Sequence, residues 1–433
     1  MPRQVVSDVK AEVHSGRCWP SRTDNRQVVR RTSMVASAFV LGLFDTGVAV
    51  VRALGRQDIE VHGFEARPEL PGFASGYCRS EVCPSPMTHA PDLVEFLRSR
   101  AQRLSVPPIV YPTSDAFVSF VSANREALEP CMRLALPDRD TVETAMDKSK
   151  QYALARRVGV PIADTHSPTS LQEVIALAPS LTYPVIVKPA VGHVWRHTYR
   201  RDKALRVEGP DALVGLFKDV FAAGQSALIQ SLIVGPNTNH CKVCAYYGQD
   251  GTPLAVLLMR KIRQYPVDFG VGTLMETVND PELRALGLRF FDAIGWRGPG
   301  SIEFKRDERD GVWRMIELNP RLWQQNGLAA AAGMNFPLVQ HRDFEGHAVP
   351  TESYRAGARW LDEFRDLQSV WAHRTLGRFG MRDWVGSLKG VGCFALWADD
   401  DPGPFGRALA ARTRAQIGKR VSRWQQLPSL GAD

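Results

Sequence analysis

The sequence predicts an α/β and α+β fold with several domains: a doubly wound α/β domain, then a region of antiparallel strands, then a helical C-terminal tail. The chain has 433 residues and 44% of them are hydrophobic, which is enough for about two to three cores. Buried-type strands alternate with helical stretches at first, whereas later strands are separated by short turns. We therefore divide the chain into residues 1–33, 34–140, 141–350 and 351–433.

The first of these segments predicts a flexible extension, because it is polar and arginine-bearing and has no apolar periodicity. The second opens as a β-α-β unit, with a strand from Ala38 and another over Val61 to Glu65. Gly42 and Gly47 are too sparse for a dinucleotide-binding fingerprint, so we interpret them as serving a tight turn.

Composition limits the class of protein only loosely. A formal net charge of +8 favours polyanionic partners without choosing among nucleotides, nucleic acids and membranes. Seven cysteines in a long chain are not typical of a secreted disulfide protein, and a cytoplasmic location is expected. Cys241 and Cys244 would point to opposite faces of a strand, which is unfavourable for a metal or redox pair. No apolar run is long enough for a transmembrane helix, so a soluble protein is expected.

Two lysines lie where a bound anion would explain them. Asp147 is a suitable N-cap for a helix that runs to Val158. Lys148, in the first turn, meets the positive end of the helix dipole, which is unfavourable unless solvent screens it or an anion binds there. Lys188 ends a predicted strand, and the basic, aromatic stretch 192–203 follows it. Such a loop could close over phosphates.

A hairpin near residue 310 predicts a metal site. Glu317 and Asn319 are two apart on a strand and share a face. With a turn at Asp310-Gly311, Glu303 falls opposite Glu317, and opposed like charges on a sheet are destabilising unless a cation lies between them. Mg²⁺ suits carboxylates combined with substrate phosphates. The alternative is an ordinary solvated strand face.

Taken in order, these features resemble the ATP-grasp superfamily. The resemblance covers residues 38 to 345, including the α/β domain that members carry before the grasp fold. It is closest to a group of predicted carboxylate-amine ligases that includes D-aspartate ligase-like proteins. The matching residues are Asp147-Lys148, Val187-Lys188-Pro189, the hinge from Gln230 to Gly235, Glu303, the Glu317-x-Asn319-x-Arg321 strand, Pro112 to Asp115 and Lys261 to Pro266.

The resemblance implies a two-subdomain ATP-grasp fold with ATP and Mg²⁺ as cofactors, and Mn²⁺ as an alternative metal. Lys148 and Lys188 would contact the phosphates, and Glu303, Glu317 and Asn319 would hold the metal. The implied adenine contact is the main chain of Gln230, Ser231, Leu232 and Ile233. Arg321, with Arg260 or Arg263, would steady the transferring phosphoryl group and the acceptor carboxylate.

Three positions depart from the usual pattern. The phosphate-covering loop is not glycine-rich here, so His193, Arg196 or Lys203 would substitute for main-chain amides. Asn239 is the expected substitute for an acidic residue that binds the ribose. Ser301 stands where some members have an arginine, which leaves the substrate open.

The implied activity is that of an ATP-dependent ligase, which activates a small carboxylate as an acyl phosphate and joins it to a small amine, releasing ADP and phosphate. One alternative is a nucleotide-binding protein without catalysis. Another is a nucleic-acid-binding protein, which depends on the loop from Trp195 to Arg201 and is not the expected function. The oligomeric state is not predicted.

Overall fold

The computed structural model describes residues 35–189, 204–349, 353–376 and 380–425, and these residues form three β-sheets with flanking helices. The predicted N-terminal extension and the loop from Gly192 to Lys203 lie outside the described residues. Within the described part of the chain, no helix has both the length and the apolar character needed to cross a membrane.

The first sheet is parallel and has the strand order β3-β2-β1-β4-β5. Its strands are β1 (Ala38–Leu41), β2 (Val61–Glu65), β3 (Arg79–Val82), β4 (Ile109–Pro112) and β5 (Arg133–Leu134). Its helices are α1 (Asp45–Gly55), α2 (Ala90–Ala101), α3 (Asp115–Ala123) and α4 (Arg125–Leu128). The doubly wound α/β arrangement is confirmed, and its crevice lies where the strand order reverses, between β1 and β4.

The turn after β1 needs its glycines. Gly42 has a φ of +100°, and a Cβ on Gly47 would lie 2.0 Å from the carbonyl oxygen of Gly42. The turn interpretation of these two glycines is therefore supported by the structure.

The second sheet is small and antiparallel, with the strand order β6-β9-β7-β8. Two helices lead into it, α5 (Arg139–Met146) and α6 (Lys148–Arg157). The Asp147 side chain accepts hydrogen bonds from the backbone N–H groups of Ser149 and Lys150, as expected for the N-cap of α6. The sheet and its helices are β6 (Thr165–His166), α7 (Leu171–Leu177), β7 (Val185–Pro189), β8 (Leu205–Val207), α8 (Pro210–Ala222) and β9 (Ala227–Ser231).

The third sheet has seven strands in the order β14-β13-β10-β11-β12-β15-β16. Its strands are β10 (His240–Tyr247), β11 (Pro253–Tyr265), β12 (Val271–Val278), β13 (Gly298–Arg306), β14 (Trp313–Asn319), β15 (Arg359–Leu361) and β16 (Val391–Phe394). Helices α9 (Pro281–Ala293), α10 (Asn326–Ala331) and α11 (Phe336–Phe344) accompany it.

The hairpin of β13 and β14 has the predicted register. Glu303 pairs directly with Glu317, and Ser301 pairs with Asn319. Gly311 supplies the left-handed turn residue, with a φ of +72°. The sequence pattern therefore sets the two carboxylates opposite each other, as expected.

The C-terminal region contains the expected helices, α12 (Glu363–Thr375), α13 (Met381–Ser387) and α14 (Gly403–Gln425). It also contributes β15 and β16, which the sequence did not predict. These strands are only three and four residues long, too short to show a periodic pattern. A buried ion pair links this C-terminal region to helix α1 of the first domain. In it, Arg52 Nε lies 2.9 Å from Asp401 Oδ2.

Candidate active site

A cavity of about 380 Å³ lies between the small sheet and the seven-stranded sheet. Its apolar walls include Ile186 of β7 and Leu318 of β14. Its polar walls carry lysines from both sheets and the carboxylates of Glu303 and Glu317 from the large sheet. A pocket with apolar walls and a few convergent charged groups is the usual form of a small-molecule site.

Four lysines line this cavity, namely Lys148, Lys188, Lys261 and Lys305. Lys148, at the start of α6, lies 3.3 Å from Glu317 Oε2. Lys188, at the end of β7, donates to Gln230 Oε1 at 2.6 Å, and burial together with nearby Lys148 lowers its pKa to about 8, against the opposing effect of Glu317. Lys261 of β11 lies 3.3 Å from Glu303 Oε2. Four ammonium groups around one cavity favour a polyanionic ligand.

A row of four charged side chains crosses the large sheet, with two carboxylates in the middle and a lysine at each end. Lys242 on β10 pairs with Glu303 on β13, and Glu303 pairs with Glu317 on β14. Lys242 Nζ lies 2.9 Å from Glu303 Oε1. The row continues to Lys148, so each carboxylate has a lysine on its outer side, and the two carboxylates face each other across the hairpin.

Glu303 is the centre of a buried ion network. The Nε2–H of His240 donates to Glu303 Oε2 at 2.6 Å, and Lys261 donates to Nδ1 of the same ring at 3.2 Å. Burial alone would raise the pKa of Glu303, but Lys242, Lys261 and His240 outweigh it and hold that pKa well below its usual range. Burial and the adjacent Lys261 lower the pKa of His240 to about 4. At neutral pH, Glu303 is therefore ionised and His240 is neutral.

The donor set at the hairpin fits a hard divalent cation. It consists of two opposed carboxylates and the Asn319 amide, which lies 3.5 Å from Glu317. No group of three or more His, Cys, Asp and Glu side chains forms a metal-binding cluster among the residues that the structure describes. A cation bound here would therefore need further ligands from elsewhere, and Mg²⁺ commonly takes them from water and substrate phosphates.

Arg321 lines the cavity, as expected, and reaches the first domain. Its Nε donates to Asp115 Oδ1 at 2.6 Å. Burial lowers the pKa of Arg321, but Asp115, Glu317 and Glu303 outweigh it and raise that pKa overall. Arg321 is therefore a fixed positive charge beside the two carboxylates.

Two of the three predicted arginines lie elsewhere, which corrects their assignment. Arg260 pairs with Glu276 at 2.8 Å, and Arg263 pairs with buried Asp366 at 2.7 Å. Neither lines the cavity, whereas Lys261 does. The register of β11 shifts between Lys261 and Arg263, and such bulges change which side chains face the site.

Asn239 also needs correction. Its side chain donates to the carbonyl oxygen of Arg306 at 3.3 Å and does not line the cavity, whereas the neighbouring Asn237 and His240 do. The short 3₁₀ turn over Asn237–Asn239 sets these directions.

The predicted hinge, Gln230 to Ile233, does line the cavity. The Gln230 side chain lies between Lys188 and Thr165, and the Ser231 N–H donates to the carbonyl oxygen of Asp164 at 2.9 Å. These bonds hold Gln230 and Ser231 within the small sheet. Of the four predicted hinge residues, only Leu232 and Ile233 therefore lie beyond the strand.

Sequence reasoning did not identify four residues of this site: His240, Lys242, Lys261 and Asp115. Lys261 lies between Arg260 and Arg263, and the sequence analysis assigned those two arginines to the site instead. The signal that could have found Lys242 and His240 is strand alternation, since β10 runs beside β13 and both residues share the face of Glu303. The residues proposed to cover the phosphates, His193, Arg196 and Lys203, lie outside the described residues, as does the loop that supported nucleic-acid binding.

Comparison with known sequences finds ligases and synthases. A D-alanine–D-alanine ligase from Pseudomonas entomophila is 26% identical over 204 residues, which are 44% of this chain and 61% of that protein. The N-terminal section of the carbamoyl phosphate synthase large chain from Methanopyrus kandleri is 24% identical over 208 residues, 46% of this chain and 36% of that protein. The chain thus matches less than two thirds of the length of either relative. No protein-family model matches the chain.

Comparison with solved structures finds the same overall fold. The biotin carboxylase domain of the 2-oxoglutarate carboxylase from Hydrogenobacter thermophilus, a complex with MgADP, has a TM-score of 0.59 and 16% identity, over 75% of this chain and 73% of that chain. An L-amino acid ligase from Bacillus licheniformis has a TM-score of 0.54 and 17% identity, over 72% of this chain and 75% of that chain. As the sequence resemblance indicated, this chain has the ATP-grasp fold.

Proposed function

We propose that this protein is an ATP-dependent ligase of the D-aspartate ligase-like group, which activates a carboxylate as an acyl phosphate and couples it to an amine. One observation carries the proposal: four lysines and two opposed carboxylates line a single cavity between two sheets. Phosphoryl transfer requires the protein chiefly to position reactants and to compensate charge, and this cavity offers both cations and metal-type ligands.

The nucleotide would lie along the cavity from the hinge to the hairpin. The adenine would contact main-chain groups of Leu232 and Ile233 beside the apolar side chain of Ile186, since Gln230 and Ser231 are engaged in the small sheet. Lys148 and Lys188 would bind the phosphates, because both ammonium groups lie near Glu317 at the hairpin end.

Glu303, Glu317 and Asn319 would hold Mg²⁺. When bound, the ion neutralises charge on the phosphates, which two facing carboxylates could not do alone. Lys148 and Lys261, which contact these carboxylates, would then be available to the phosphate oxygens.

In the first step, a carboxylate oxygen of the substrate bonds to the γ-phosphorus of ATP, and the bond to the ADP oxygen breaks. In the second step, an amine bonds to the acyl carbon, inorganic phosphate leaves, and the amine nitrogen loses its proton to solvent. Arg321 would orient the carboxylate and, with Lys261, stabilise the transferring phosphoryl group.

We also propose that the protein works in the reducing environment of the cytoplasm. All six cysteines among the described residues are free thiols, namely Cys78, Cys83, Cys131, Cys241, Cys244 and Cys393. Cys241 and Cys244 pack into separate cores on the two faces of the large sheet, and burial raises the pKa of Cys241 to about 12.

The test is ADP release by the purified protein with Mg·ATP and pooled amino acids, peptides and small carboxylates. We expect a pool-dependent rate that falls by at least about 100-fold in Glu317→Ala. Glu95→Ala, which removes an exposed carboxylate of α2, is the matched control and should leave the rate unchanged.

An unchanged rate in Glu317→Ala would contradict the assignment of Glu317 to the metal site. Tight binding of a fluorescent ATP analogue with no ADP release from any pool would instead indicate the non-catalytic nucleotide-binding alternative.

A further inference from the structure

The turn between β13 and β14 lies against the hinge. Within this turn, the Nη2–H of Arg309 donates to the carbonyl oxygen of Leu232 at 3.0 Å. The backbone N–H of Glu308 donates to the carbonyl oxygen of Val234 at 3.1 Å. Both acceptors come directly after β9, the last strand of the small sheet along the chain. The hinge is therefore attached to the hairpin whose strands carry the predicted metal ligands.

Arg309 is itself held by a buried carboxylate. The Asp307 side chain is fully buried, and its two oxygens accept from Nε and Nη2 of Arg309 at 2.9 and 2.5 Å. One guanidinium thus contacts both Asp307 and Leu232, which the several donors of its planar fork make possible. Arg309 does not line the cavity, so it holds the hinge from outside.

The two anchored carbonyls determine which main-chain groups of the hinge face the cavity. Residues 232–234 are neither helical nor in a turn, and alternate residues of an extended chain direct their main-chain groups to opposite sides. Ile233 lies between the two anchored residues and lines the cavity. Among the described residues, its N–H and its carbonyl have no hydrogen-bond partner. These two groups are therefore available to a ligand in the cavity.

We propose that Arg309 is a positioning residue for the nucleotide: by holding the carbonyl of Leu232, it turns the main chain of Ile233 toward the base. This rests on the proposed function, in which the hinge contacts adenine, and adds a residue outside the cavity that sets the affinity for the base. Arg309 touches neither the nucleotide nor the metal, and it acts only through the hinge.

The same contact locates the pivot of the small sheet. The N–H of Ser231 is bonded to Asp164 beside the small sheet, whereas the carbonyl of the next residue, Leu232, is bonded to the hairpin of the large sheet. The chain thus passes from one sheet to the other at this junction. When the small sheet moves, Lys188 moves with it, while the base contact at Ile233 stays with the predicted metal ligands.

The competing explanation is that Arg309 only stabilises its own turn through Asp307. The two roles differ in which ligands they affect. ATP carries a base, whereas inorganic tripolyphosphate carries the phosphate chain without one. Loss of a positioning residue for the base weakens ATP alone, whereas a general loss of structure weakens both ligands.

The experiment is isothermal titration calorimetry of the full chain with Mg²⁺ and either a non-hydrolysable ATP analogue or tripolyphosphate. We expect the wild type to bind both, and the analogue more tightly. In Arg309→Ala, the Kd of the analogue should rise about five- to tenfold, as for the loss of one well-placed hydrogen bond. The Kd of tripolyphosphate should change less than about twofold.

Two further variants separate positioning from stability. Arg309→Lys keeps a cation beside Asp307 but has no second nitrogen for Leu232, so its affinity for the analogue should fall nearly as far while its unfolding temperature falls less. Arg314→Ala is the matched control, because Arg314 contacts the same Asp307 at 3.6 Å and Asp310 at 2.6 Å. Among the described residues it has no contact with the hinge, so this variant should bind both ligands like the wild type.

Three results would overturn the inference: Arg309→Ala binds the analogue as tightly as the wild type, it weakens both ligands equally, or Arg314→Ala has the same effect. The proposed ligase activity fails separately. Binding that follows the expected pattern without ADP release from any pool would contradict the ligase and leave this role of Arg309 in place. ADP release that survives with an unchanged ATP affinity in Arg309→Ala would do the reverse.

Discussion

The two sheets that enclose the cavity differ in how they are held. The seven-stranded sheet packs on both faces into large cores: one shared with the first domain, which includes Cys244, and one shared with α5 and α6, which includes Cys241. The small sheet has a core of its own, built only from buried residues between 174 and 229. One sheet is thus fixed to the rest of the molecule, and the other is a separately packed unit.

The same difference holds for their charges. On the large sheet, Glu303 is fixed by Lys242, Lys261 and His240. On the small sheet, Lys188 contacts Gln230 of the same sheet. The predicted metal ligands are therefore part of a rigid sheet, while Lys188, which we propose to bind a phosphate, lies on the unit with more freedom to move.

The largest expected effect is on the stability of the seven-stranded sheet. Glu303→Ala removes the carboxylate from two buried lysines, and removing one partner of a buried ion network typically costs about 3–5 kcal/mol of unfolding free energy. Lys188→Ala, on the small sheet, should cost less than about 1 kcal/mol while weakening ATP binding. Urea unfolding of both variants measures this, and equal losses of stability would show that the two sheets do not differ in this way.

A smaller effect concerns the charge of Lys188. A phosphate binds the protonated ammonium, and the pKa of Lys188 is lowered to about 8. Its contribution to ATP binding is therefore fully present below pH 8 and is lost as pH rises through that value, by up to about tenfold in Kd per pH unit.

Lys188→Arg keeps its charge over this range, so its ATP affinity should not change between pH 7.5 and 9.5. Fluorescence titration with an ATP analogue measures both proteins. A wild-type affinity that is independent of pH would remove Lys188 from the phosphate site.

The smallest expected effect is on dynamics. If the small sheet moves as a unit, Mg²⁺ with a non-hydrolysable ATP analogue should slow amide exchange in β7 and β9 by about tenfold, and in β10 and β12 by less than about twofold. Hydrogen–deuterium exchange with mass spectrometry of the full chain measures both regions. Equal protection of the two sheets would contradict a separately moving unit.

Local chemistry made much of the candidate site predictable. The N-cap Asp147, the position of Lys188 near the end of β7 and the opposition of Glu303 to Glu317 all follow from short-range patterns. The two predicted arginines of β11 do not line the cavity. Arg260 faces away from it because it is adjacent to Lys261 on the strand, and Arg263 faces away because a bulge follows Lys261, which no periodic pattern reports. The strands β15 and β16 were missed because they are short and pair with distant parts of the chain.

The sequence by itself determined the order of the elements, the hairpin register and the types of ligand it presents, because alternation along a strand and capping at a helix start are local properties. Only the tertiary structure decided which cations surround Glu303 and that Asp115 meets Arg321 across 206 residues of chain. Such pairings depend on how sheets and domains pack, and packing brings together residues whose spacing in the sequence carries no signal.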